Sequence, residues 1–154
     1  MKQLLAWLVA LSIAIPAFTG MANAQQRGTA AEAKQLLQDA VAHVKQVGPE
    51  QAFADFSAGG KWLKKDIYLF CYKYDGTCVC QGSNKALVGK NLIDLKYPDG
   101  KTHMRDMLEM VKTKGSGTDE YPWPDPITKK IETKQVWVAK VPGYDGLIGV
   151  GIFK

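Results

Sequence analysis

Gly115 to Trp137, GSGTDEYPWPDPITKKIETKQVW, is the stretch that decides how the rest of the chain is read. Tyr121 and Trp123 alternate with Pro122 and Pro124, which fix φ and remove backbone donors. The segment must therefore be extended, and it belongs at the rim of a sheet rather than hydrogen-bonded in its middle. Downstream, Lys134, Val136 and Val138 alternate with Gln135 and Trp137 at the period of a strand, so Lys134 and the Tyr-Pro-Trp segment are able to face one cavity. An aromatic wall with one cation suits a small organic anion. The plainer alternative is that Tyr121 and Trp123 cap the core edge and that Lys134 is a solvated strand lysine.

At the other end, Lys2, an apolar run from Leu4 to Phe18 and the small-residue site Ala22-Asn23-Ala24 read as a secretory signal peptide over residues 1–24. A retained membrane anchor is the alternative, but the run is short for a span. Cleavage after Ala24 leaves residues 25–154 as one domain, periplasmic or secreted. The formal net charge of +5 is spread along the chain. Nucleic-acid binders concentrate their cations on one face, so nucleic acid is not an expected partner. The charge supports only a mild attraction for anionic solutes or surfaces.

Cys71, Cys78 and Cys80 fall within ten residues of one another in a chain expected to leave the reducing cytosol, which favours a disulfide. Ile67 to Tyr72, the Asp75-Gly76 turn and Thr77 to Cys80 form a β-hairpin. A two-residue loop puts Cys71 opposite Cys80, and a four-residue loop puts it opposite Cys78. Either register pairs Cys71 across the hairpin and leaves a third thiol. No metal site is expected from the Cys-x-Cys spacing, which has no fourth sulfur ligand or nearby histidine.

Apolar positions recurring at three- and four-residue steps predict a long helix over Ala30–Val47, ended by Gly48-Pro49. A second, short helix follows through Ala52, Phe53 and Phe56. Gly82 to Lys101 is a long ordered loop. Thr102 is placed to cap a helix through Met104, Met107, Leu108 and Val111 that Gly115 ends. Strands are predicted over Val136–Val141 and Leu147–Phe153. The sum is an α+β domain with an antiparallel sheet.

The chain lacks the motifs of common catalytic sites: no G-x-S-x-G elbow, phosphate loop or H-E-x-x-H helix is present, and His43 and His103 are its only histidines. No enzyme activity and no cofactor is expected. A binding module is the better reading. Its rivals are an interaction protein with an empty pocket, whose aromatic rim meets a partner, and a thiol-redox protein using Cys71, Cys78 and Cys80.

Several segments in order carry a family resemblance: Val47-Gly48-Pro49-Glu50, Asp66-Ile67-Tyr68-Leu69-Phe70, Asp75-Gly76-Thr77, Leu87 to Leu92, Asp99-Gly100-Lys101, Lys114 to Gly117, Tyr121-Pro122-Trp123, Lys134 and Ile148 to Lys154. From about Ala33 onward the chain resembles a single Cache domain of the second type, a PAS-like extracytoplasmic sensor fold. The sequence departs from the family pattern at Cys80 and Gln81, where alanine and histidine are usual, and at Thr118, where an aromatic is usual. The resemblance implies a long N-terminal helix packed on a central antiparallel sheet, with a ligand pocket between the sheet and a loop-and-helix insertion. It implies ligand-binding roles for Tyr68, Phe70, Met104, Met107, Tyr121, Trp123, Lys134 and Trp137, with Lys134 pairing a carboxylate. It further implies a stand-alone exported binder of a small organic acid, monomeric or homodimeric, without its own signalling module and serving a membrane sensor kinase or chemoreceptor.

Overall fold

The structure is a computed structural model that describes residues 27–154. The predicted signal peptide lies outside the described residues. Helix α1, Ala30–Val47, opens on a reciprocal cap in which the Glu32 amide donates to Thr29 Oγ1 (3.2 Å) and the Thr29 amide to Glu32 Oε2 (2.9 Å). It buries Ala33, Leu36, Ala40 and Val44, the single stripe its periodicity predicts. Gly48, at φ 84°, ends it and hands over directly to α2, Pro49–Ala58, whose first position accepts a proline because no amide is needed there.

The strands are β1 (Leu63–Lys64), β2 (Ile67–Lys73), β3 (Cys78–Gln81), β4 (Ser116–Pro124), β5 (Ile131–Lys140) and β6 (Gly146–Phe153). They form one antiparallel sheet in the order β1-β2-β6-β5-β4, with β3 also paired to β2. The proline-bearing segment is β4, which pairs with β5 along its whole length from Ser116↔Ala139 to Pro124↔Ile131 and has no other strand partner among the described residues. An edge strand is where proline costs no ladder hydrogen bond.

The hairpin follows neither regular register. Cys71 faces Cys80 but Tyr72 faces Cys78, so Val79 is an extra residue in a β-bulge. Cys71 and Cys80, with Cα atoms 4.8 Å apart, form the disulfide, and Cys78 is a free, buried thiol. Its bulge puts Cys78 on the opposite face of the sheet from the disulfide.

That alternation sorts the core into two layers. Ile67, Leu69, Cys71, Ile148 and Val150 pack under α1 and α2. Phe70, Tyr72, Tyr121, Val136, Val138 and Leu147 pack under helix α3, His103–Lys114, through its Met104, Met107, Leu108 and Val111. The loop between β3 and α3 is pinned to the hairpin, with the Cys78 amide donating to the Lys90 carbonyl (2.8 Å) and the Leu92 amide to the Gly76 carbonyl (2.9 Å). It contributes Tyr97 to the second layer.

Candidate functional site

Strand register brings the site together. Lys134 on β5 lies opposite Tyr121 on β4 and Phe153 on β6, and its side chain points to the α3 face. Room for it comes from β6, where Gly149 and Gly151 replace side chains on that face. A Cβ on Gly151 would come within 2.8 Å of Lys134 Cε, and one on Gly149 would collide with the Phe70 ring.

Lys134 is buried, and its Nζ sits 3.8 Å from the centre of the Tyr68 ring, 5.0 Å from Phe70 and 5.4 Å from Phe153. Among the described residues no carboxylate forms an ion pair with it. Burial therefore pulls its pKa well below that of an ordinary lysine, and the more distant charge of Asp66 opposes the shift only in part. The faces of three aromatic rings add to what stabilisation the protonated form has.

Tyr68 completes the site. Its side chain is buried, its hydroxyl has no hydrogen-bond partner among the described residues, and burial raises its pKa to about 12. The polar side chains of Ser83 and Trp123 are its neighbours at the hydroxyl end. Both line a surface cleft of about 420 Å³ walled also by Leu87, Pro124, Asp125 and Pro126. Tyr68 thus connects the cleft to Lys134, which lies behind it.

Of the eight ligand-site residues expected from sequence, the structure gathers seven on the α3 side: Tyr68, Phe70, Met104, Met107, Tyr121, Trp123 and Lys134. Met104 and Met107 are buried in the roof, and Trp123, partly buried, forms the rim. Trp137 does not join them. Three residues beyond Lys134 on a strand is the opposite face, and its ring packs in the α1 layer with Lys34 Nζ 5.3 Å away.

Sequence reasoning missed Phe153, Asp66 and Tyr97. The first two carried a signal, since Phe153 is in phase with Gly149 and Gly151, and Asp66 is two residues from Tyr68. Tyr97 lies in an aperiodic loop and had none.

His103, buried at the start of α3, is held by Asp99 Oδ2 at 2.7 Å and Asp119 Oδ2 at 2.8 Å, one on each ring nitrogen. Only the imidazolium offers two N–H donors to two carboxylates. Burial works against the charge, but the hydrogen bonds to Asp99 and Asp119 outweigh it and raise the pKa. His103 also packs edge-on against Tyr97 and tilted against Tyr121, so it fixes the inner wall. The thiol chemistry weighed from sequence meets a closed disulfide and a Cys78 whose pKa burial lifts to about 11, conditions unsuited to a nucleophile.

The comparisons with known proteins agree with this architecture. A Cache domain family model matches residues 61–154. The sensor histidine kinase MctS of Rhizobium johnstonii is 30% identical over 89 residues, which is 58% of this chain and 19% of the kinase. The chain thus spans about a fifth of that curated relative. A methyl-accepting chemotaxis protein from Vibrio parahaemolyticus superposes with a TM-score of 0.69 at 21% identity, covering 80% of this chain and 86% of the other. A Cache chemosensory domain solved for its carboxylic acid recognition does so with a TM-score of 0.68 at 20% identity, covering 80% and 91%. With a matching family model over most of its sequence and the corresponding fold, this chain belongs to the Cache domain family of extracytoplasmic sensory modules.

Proposed function

We propose that the protein is an exported Cache domain that binds a small organic acid, its carboxylate paired with Lys134 and hydrogen-bonded by the Tyr68 hydroxyl. The observation that carries this reading is a buried lysine amine without a carboxylate partner next to a buried hydroxyl without a partner. Each is costly to leave unsatisfied, and a carboxylate satisfies both at once. Tyr68 and Trp123 enclose the apolar part of the ligand, and entry is through the cleft beside Ser83. The carboxylic acid recognition named for one structural relative, and the matched segment's place within a sensor histidine kinase, support an organic acid and a membrane kinase or chemoreceptor as partner. The apolar leader ending at Ala24 supports export to the periplasm or beyond.

A thermal-shift screen of residues 25–154 against small carboxylates, amino acids, purines and polyamines tests the reading, since a ligand of the native state raises the melting temperature. A dose-dependent shift confined to carboxylates and lost in Lys134→Met is the expected result. A shift with purines or polyamines instead would refute the carboxylate and name another ligand chemistry, and no shift with any class would favour a protein partner at the aromatic rim.

A further inference from the structure

Arg27 joins three carboxylates from two parts of the fold. Its guanidinium meets Asp66 at 3.1 Å, just before β2, then Asp125, and Glu132 at 3.2 Å. Asp125 and Glu132 flank the turn between β4 and β5. The Asp66 and Asp125 side chains are fully buried, whereas Arg27 is 37% exposed, so it is the surface lid of an inward-facing acidic pair. The neighbouring Gly28 amide donates to Asp66 Oδ1 at 2.6 Å, and Gly28 lies against the Ile67 side chain with no space for a Cβ. The segment at the start of α1 is therefore seated by backbone as well as by charge.

Two consequences reach the ligand site. Asp125 Oδ1 accepts from the amides of Ile127 (2.6 Å) and Thr128 (3.3 Å), and Glu132 accepts from the Thr128 hydroxyl (2.8 Å). Arg27 thereby fixes the turn that follows Trp123 and Pro124, which form one wall of the cleft. Asp66, meanwhile, lies close to Lys134: the Arg27 guanidinium that holds it and Lys134 Nζ both sit over the Phe153 ring, 6.0 and 5.4 Å from its centre. Turned from Arg27 towards Lys134, it would pair with the lysine; held by Arg27 and Gly28, it does not.

We propose that Arg27 is a positioning residue of the anion site, which clamps the cleft rim through Asp125 and Glu132 and withholds Asp66 from Lys134. The proposal rests on the reading of Lys134 as the anion partner. It makes the N-terminal end of α1 and the ligand site two ends of one ion network. Seating residues 27–29 and filling the site then favour each other, because such coupling is reciprocal.

The test needs no ligand. In Arg27→Gln, amide exchange at Ile127 and Thr128 is expected to quicken by about tenfold or more as the turn opens locally. The Lys134 side chain, followed by NMR of its Cε, is expected to titrate closer to an ordinary lysine as Asp66 turns to it. Arg27→Lys restores the Lys134 behaviour of the native protein, because it keeps the charge on Asp66. Should Arg27→Gln not fold, Glu132→Gln removes one bridge and gives a smaller increase in exchange at the same amides. Unchanged exchange at Ile127 and Thr128, or an unchanged Lys134 titration in a folded Arg27→Gln protein, would overturn the proposal. Propionate binding to Lys134→Met, measured separately by calorimetry, addresses the anion site: retained affinity there defeats that reading, whereas the exchange results bear on Arg27 alone.

Discussion

Under α1 and α2 the sheet presents Ile67, Leu69, Cys71, Ile148 and Val150 to Ala33, Leu36, Ala40, Val44 and Phe56; under α3 it presents Tyr68, Lys134 and Tyr121 to Met104, Met107, Tyr97 and His103. Both layers exclude water. The first contains little that water would have solvated, so its burial is a direct gain. The second contains an unpaired lysine amine and an unpartnered hydroxyl, which burial penalises. Strands that alternate between the two layers carry this division residue by residue, as in β6, where Ile148 and Val150 serve one face while Gly149 and Gly151 leave room on the other. One face is built for stability, and the other gives some up to enclose polar groups.

Substitutions should therefore separate the two faces. The largest effect is expected from Phe56→Ala, which empties a fully buried position against Trp62 and costs about 3–5 kcal/mol. Chemical denaturation measures that loss, and carboxylate affinity should be unchanged once the protein is folded. Reducing the Cys71–Cys80 bond, which closes a short loop, should cost about 2–3 kcal/mol. Alkylation before and after reduction, read by intact mass, should show two thiols released by reduction. Lys134→Met should behave in the opposite way: replacing a buried unpaired charge by an apolar chain of similar length raises stability by about 1–3 kcal/mol while abolishing the carboxylate-induced shift. A loss of stability in that variant would place the lysine in a structural role.

The smallest effect concerns His103. Its pKa is raised in the folded state, so its contribution is fully present below the ordinary histidine value and is lost as pH rises through the raised one. Melting temperature should decline across that window, and His103→Gln should flatten the decline. An identical pH profile in the variant would remove the imidazolium bridge from the account.

Much of this division was legible in the sequence. The stripe in α1, the hairpin at Asp75-Gly76 and the prolines of β4 each impose a local geometry, and their order gives an α+β domain with an antiparallel sheet, while the Cache fold was implied by the family resemblance. Seven of the eight expected site residues share one face because strand alternation and α3 periodicity are local rules. Trp137 was placed in the site by the resemblance alone, whereas its distance of three from Lys134 assigns it to the α1 face, where the structure packs it. The disulfide partner depended on a bulge at Val79 that no residue pattern marks. Tyr97, the carboxylates around His103 and the reach of Arg27 from residue 27 to Asp125 are long-range meetings that only the folded chain creates.

The central claim is that Lys134 is a buried amine that pairs with an anion as its ammonium form, and its own titration tests that most directly. NMR of the Lys134 Cε as a function of pH, without and then with saturating propionate, should show a pKa well below the other lysines that rises when the carboxylate binds, with a proton taken up on binding. An ordinary lysine titration in the free protein, unmoved by propionate or any other small carboxylate, would contradict the account.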